Sequence, residues 1–185
     1  MPPMTAPPEQ IPTPRLLLRR LHQSDVDEVH QAVTAALPHL RPWMPWAEAE
    51  YTRETATTWL TFVHQSWQSH TAYSYAITHK NHLIGATALE RRIGPGGLEI
   101  GYWLHPDQVG TGYATEAAAA LVQAAFSLPD IEFVQIWHDL ANVRSGAVPK
   151  RLGFAEVARH EPPREPLSPG EVGVDVVWQL DRPVG

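Results

Sequence analysis

Gln108-Val109-Gly110-Thr111-Gly112-Tyr113-Ala114-Thr115-Glu116-Ala117 sets two glycines at the mouth of an alanine-rich helix. Glycine accepts positive φ and lets backbone come close to a ligand. The first turn of a helix carries unpaired N–H groups and a partial positive charge. A phosphate can bind there without a basic side chain. The same spacing also suits a plain strand-to-helix turn. It is not a Walker loop, because no Lys-Ser/Thr pair follows, and the third glycine of a dinucleotide fingerprint is missing. A second constellation is Leu40-Arg41-Pro42-Trp43-Met44-Pro45-Trp46. Its two tryptophans sit in a proline-stiffened loop, where they either wall a slot for a cationic amine or anchor the loop to the core. The chain has no cysteine, and its histidines share no spacing with carboxylates that would suit a metal. Any group transfer would therefore be direct, or pass through Ser, His or a carboxylate.

Around the glycine loop the string Glu99-Ile100-Gly101-Tyr102-Trp103-Leu104-His105-Pro106, continuing to Gly110–Ala117, resembles the central signature of the GNAT (Gcn5-related N-acetyltransferase) superfamily. Within it the chain is most similar to RimJ/RimL-like N-acetyltransferases. Asn142-Val143-Arg144-Ser145, leading to Lys150-Arg151-Leu152-Gly153-Phe154, resembles the second family signature. Pro14-Arg15-Leu16-Leu17-Leu18-Arg19 is similar to the group's first strand. One departure is Val109, which stands where the family pattern begins with Arg or Gln; Gln108 comes one residue early. Backbone N–H groups would then carry more of the phosphate binding.

The resemblance implies an α/β (α+β) GNAT fold: a mixed, mostly antiparallel sheet of about seven strands with about four helices, splayed between strands 4 and 5. It implies acetyl-CoA as co-substrate, lying in that opening. Backbone from Trp103, Leu104 and His105 would pair with the pantetheine arm. Val109, Gly110, Thr111, Gly112, Tyr113, Ala114 and Thr115 would cradle the pyrophosphate. Asn142, also suited to cap the following helix, would bind the coenzyme arm. Ser145 would approach the sulfur and serve the leaving thiolate, or merely solvate the helix N-terminus. Glu99 matches the base of some histone-type members, and is otherwise a cross-strand or exposed carboxylate. His138 and Asp139 are alternatives to Glu99 through a bridging water. Trp43 and Trp46 lie where the family binds its acceptor. Removing a proton at neutral pH costs about 1.4 kcal/mol for an α-amine and about 4.6 kcal/mol for a lysine side chain. A base is therefore useful for the first and more necessary for the second.

These residues must be held by regular elements. Arg15–Leu21 has the composition of a first strand. Ser24 or Asp25 caps a helix to about Leu37, and Thr52 opens another to about Ser69. Ala72–Thr78, His82–Arg91 and Leu98–Leu104 form a three-strand meander, turning at Lys80-Asn81 and at Gly94–Gly97. The alanine helix follows, then a strand Ile131–His138, a helix Asn142–Leu152 interrupted awkwardly by Pro149, a strand Phe154–Arg159 and a last strand Val172–Leu180.

With 185 residues and 43% hydrophobic side chains, one domain is expected at 11–185, after a Pro-rich disordered lead at 1–10 that lacks a secretory pattern. No apolar run approaches a membrane span, and no basic stripe accompanies the net charge of −6, so neither membrane nor nucleic acid is an expected partner. The expected location is the cytoplasm. The leading expectation is an enzyme acetylating a peptide N-terminus or a small amine. An amino-acid or amine-antibiotic acetyltransferase, an acetyl-CoA-binding regulator without turnover, and a purely structural domain stay open, as does a homodimer.

Overall fold

A computed structural model describes residues 5–47 and 49–183. Eight strands form one sheet: β1 (Gln10–Pro12), β2 (Leu17–Arg20), β3 (Ala72–His79), β4 (His82–Glu90), β5 (Gly97–Leu104), β6 (Phe133–Asp139), β7 (Ala155–Arg159) and β8 (Asp175–Asp181). Four helices accompany them: α1 (Val26–Leu40), α2 (Arg53–Gln68), α3 (Tyr113–Phe126) and α4 (Val143–Arg151). The sheet order is β1-β2-β3-β4-β5-β6-β8-β7, and among the described residues the one parallel pair is β5 with β6.

The expected seven strands become eight because Gln10–Pro12 pairs with β2. That strand is too short to announce itself by alternation. The expected opening between strands 4 and 5 is therefore the opening between β5 and β6 here. Met1–Met4 of the expected disordered lead lie outside the described residues. Of the rest, Pro7 is buried, Glu9 pairs with Arg20, and Pro8 O accepts a hydrogen bond from Tyr75 Oη at 2.9 Å.

Local chemistry explains most boundaries. Lys80 and Asn81 both take positive φ, 50° and 66°, which matches the twist of a two-residue hairpin between β3 and β4. Thr52 caps α2 by accepting from Thr55 N. In α3, Ala117, Ala118, Ala124 and Ala125 are buried, so the helix packs close to the sheet on small side chains. Leu98, Ile100, Leu121, Ile131, Val134 and Ile136 close this part of the core. The last strand starts at Asp175 rather than the expected Val172, because Gly173 turns the chain at φ 81°.

The feature that positions the site is a parting of strands. β5 and β6 pair only at Gly97↔Phe133, Leu98↔Val134 and Glu99↔Gln135. β5 then stays with β4 as far as Leu104, while β6 stays with β8 as far as Asp139. A wedge opens between two strand edges whose backbone groups have no strand to pair with.

Candidate active site

The wedge has a definable polar edge. His105 N–H donates to Ile84 O at 2.7 Å, on the β4 side. Backbone groups alternate along a strand, so those of Tyr102 and Leu104 turn toward the wedge. Past the end of β5 the chain enters the glycine loop. Gly110 and Gly112 take φ 78° and 84°, a region that is costly for residues bearing Cβ. Gly112 occupies the N-cap of α3 and offers no side chain to cap it. Among the described residues, none of the N–H groups from Gly110 to Thr115 finds an acceptor, while Glu116 N–H closes the first helical bond on Gly112 O at 3.0 Å. Six consecutive donors at a helix N-terminus form a concavity suited to an anion.

The loop is braced from the β1–β2 connection. Arg15 Nε meets Glu116 Oε2 at 2.6 Å, Arg15 Nη1 donates to Thr111 O at 2.9 Å, and the guanidinium lies 4.6 Å from the Tyr113 ring centroid. Thr13 Oγ1 and Arg15 N–H also donate to Glu116 Oε1, at 2.6 and 2.8 Å. The opening strand motif and the glycine loop, a hundred residues apart in the chain, are thus tied through one carboxylate. A cation stands beside the loop where Val109 supplies none.

Across the wedge, Asn142 caps α4 by accepting from Ser145 N–H at 3.2 Å. Ser145 lies in the first turn. Tyr102 Oη donates to Ser145 O at 2.9 Å and lies 3.3 Å from Ser145 Oγ. Burial pushes the Tyr102 phenol up to about 12, so it stays protonated at neutral pH. Gly146 lets α4 approach β6, since a Cβ there would stand 2.6 Å from the His138 ring.

Glu99 and Tyr102 are three residues apart on one regular strand, so they face opposite sides of the sheet. Glu99 is 6% exposed, and both its carboxylate oxygens accept from Arg92, a forked ion pair. Arg92 also reaches Glu90 Oε2 at 3.1 Å, and its side chain is 63% exposed. Glu99 and Ser145 are thus not in contact; they flank the wedge from its two faces.

His138 is committed elsewhere. Its Nδ1 meets Asp139 O at 2.7 Å and its Nε2 accepts from Trp178 Nε1 at 3.0 Å, which defines a neutral ring with no free nitrogen. Asp139 accepts from the N–H groups of Ala141, Val172 and Gly173, which hold it below the usual carboxylate range despite burial. Both alternatives to Glu99 are therefore engaged in structural bonds. Burial also lowers His138 below the ordinary imidazole value, its largest influence. As pH falls the unfolded chain takes up that proton first, so stability is lost below about 6.5. His138→Gln keeps an acceptor for Trp178 but does not titrate. Its melting temperature should fall less than that of the wild type between about pH 7.5 and about pH 5. His39, also lowered by burial and then by Arg144 and His105, leaves a residual slope. Equal acid sensitivity in the two proteins would contradict this assignment.

Trp43 and Trp46 are separated. Trp43 joins Pro38, His39, Pro42, Asn142 and Arg144 around a cleft of about 290 Å³. Trp46 is 44% exposed and tilts against Tyr51 at 6.1 Å instead. The cleft brings the tryptophan loop against the cap of α4, so one of the two expected acceptor residues meets a residue expected to bind the coenzyme. Among the described residues no cluster of side chains suits a metal ion, and no helix is long and apolar enough to cross a membrane.

The acetyltransferase (GNAT) domain family matches residues 15–155. The chain belongs to that family. It is 40% identical over 58 residues to YdaF of Bacillus subtilis strain 168, a candidate ribosomal N-acetyltransferase; the match covers 31% of this chain and 32% of that protein. The chain thus spans about a third of the length of that curated relative. Its fold superposes on RimL, the ribosomal L7/L12 alpha-N-protein acetyltransferase in complex with coenzyme A, with a TM-score of 0.85 at 23% identity, over 94% of this chain and 98% of that one. It also superposes on MccE, the microcin C7 self-immunity acetyltransferase in complex with acetyl-CoA and AMP, with a TM-score of 0.83 at 18% identity, over 91% and 93%. At those identities the likeness is one of fold.

Proposed function

We propose that this chain, as a single domain over residues 11–185, transfers the acetyl group of acetyl-CoA directly to a primary amine. The acceptor would be the N-terminal α-amine of a protein or peptide in the cytoplasm. The observation that carries the reading is the row of unpaired N–H groups from Gly110 to Thr115, set at the end of a strand whose free edge continues into the wedge. That donor set fits a pyrophosphate, and the wedge edge at Leu104, with Tyr102 one step inside it, fits the amides of a pantetheine arm; Trp103 and His105, expected to share that role, turn their backbone groups to β4 instead. Val109 shapes the entry to the loop, and Asn142 closes the far side.

In this reading the acceptor amine approaches from the Glu99 face. Glu99 takes its proton once the exposed Arg92 side chain gives way, directly or through water. Leu104 N–H, turned to the wedge, stabilises charge on the thioester oxygen. Ser145, on the opposite face, donates a hydrogen bond to the departing sulfur. Trp43, and Trp46 at the rim, guide the acceptor. The alpha-N-protein acceptor named for RimL supports a protein or peptide N-terminus, and a small primary amine is the second reading.

Thiol release from acetyl-CoA with a panel of N-terminal peptides, free amino acids and amine antibiotics tests the proposal. Turnover with a peptide amine is the expected result. Tight acetyl-CoA binding without release for any amine would replace the enzyme with a sensor.

A further inference from the structure

Pro149 lies inside α4, one helical bond after Ser145. A proline has no N–H, so the carbonyl four residues earlier loses its helical partner. That carbonyl is Ser145 O, and Tyr102 Oη donates to it at 2.9 Å. Ser145 carries both the orphaned carbonyl and the hydroxyl that the proposed function assigns to the leaving thiolate.

We propose that Tyr102 is the positioning residue for Ser145, and that Pro149 creates the vacancy which lets it act. The inference rests on the proposed acetyl transfer for its catalytic part and on geometry alone for its structural part. A phenol has one proton. With that proton on Ser145 O, the second contact, 3.3 Å to Ser145 Oγ, runs from the serine hydroxyl to the phenol oxygen. The serine rotamer is thereby fixed. As sulfur departs, the serine hydroxyl needs only to swing its hydrogen toward it; no bond to oxygen breaks. The buried phenol stays protonated, which keeps the carbonyl bond in place through the working pH range. β5, one wall of the wedge, is thereby joined to α4, the helix that follows the other wall, β6.

Two double-mutant cycles test this. In the first, Tyr102→Phe is measured in the wild-type and Pro149→Ala backgrounds by thermal melting. Pro149→Ala restores an N–H for Ser145 O, so Tyr102→Phe should cost clearly less melting temperature in that background. An equal cost in both overturns the pairing of Pro149 with Tyr102, whether or not the protein is active. In the second, Tyr102→Phe should lower kcat about tenfold with KM for acetyl-CoA nearly unchanged, and should add little once Ser145 is replaced by alanine. An unchanged kcat, or full additivity with Ser145→Ala, overturns the positioning role. Failure of the wild type to release thiol with any amine would instead overturn the proposed function, leaving the melting cycle to judge the geometry.

Discussion

Gly112→Asp is expected to leave the protein folded and to abolish useful binding of acetyl-CoA. The position has room for the side chain, because a Cβ there would meet only the flexible end of Arg15, at 3.3 Å, which can shift. Its φ of 84° is a conformation that aspartate and asparagine adopt more readily than other residues bearing Cβ. The effect is electrostatic. A carboxylate at the N-terminus of α3 stands where the pyrophosphate would sit, repels it, and competes for the same N–H groups. Charged hydrogen bonds are worth about 1.5–3 kcal/mol each. Losing one and adding a like charge should raise the dissociation constant at least about 100-fold. Gly112→Asn has nearly the same shape without the charge, and should fall between the two. Calorimetric titration of the three proteins with CoA measures this. Similar affinity in the aspartate variant would place the coenzyme elsewhere.

The second large effect concerns Glu99. An N-terminal amine with a pKa near 8 is only a few per cent neutral at about pH 6.5, and mostly neutral at about pH 9. A positioned base contributes about 10²–10⁴-fold. Glu99→Gln should therefore lower kcat/KM about 100-fold or more at the lower pH, and distinctly less at the higher, where the substrate arrives deprotonated. Glutamine can still accept from Arg92, so the ion-pair site stays filled. Steady-state kinetics with a peptide acceptor over that range supplies the profile. A loss independent of pH would make Glu99 a structural partner of Arg92 rather than a base.

These two residues illustrate what sequence could disclose. The glycine loop was legible because its proposed role lies in backbone: the Gly110-x-Gly112 spacing and the alanine helix determine which N–H groups stay unpaired. The parting of β5 and β6 was legible by resemblance, since it follows from strand order. The surroundings of Glu99 were not. Arg92 is nearby in sequence, but only the turn through Gly94–Gly97 decides that its guanidinium folds back onto β5. His138 looked available because a strand-end histidine carries no sign of its partners; Trp178 lies forty residues away, on β8. Trp43 and Trp46 looked equivalent in a loop without periodicity, and only packing separates the cleft-lining ring from the exposed one.

Tyr102 and Arg15 were missed for different reasons. Tyr102 alternates with Ile100 and Leu104 and passes for a core residue. The signal was present in Pro149, whose missing N–H leaves Ser145 O in need of a donor, but the donor's identity requires the fold. Arg15 belonged to a strand motif with no evident chemistry until Glu116 tied it to the glycine loop.

The central claim is that the backbone from Gly110 to Thr115 holds the pyrophosphate of acetyl-CoA. Its most direct measurement is the amide spectrum of ¹⁵N-labelled protein titrated with CoA. The N–H signals of Gly110, Thr111, Gly112, Tyr113, Ala114 and Thr115 should move furthest, and should stay in place when pantetheine without phosphates is added. Saturable CoA binding that leaves those six signals unmoved would contradict the account.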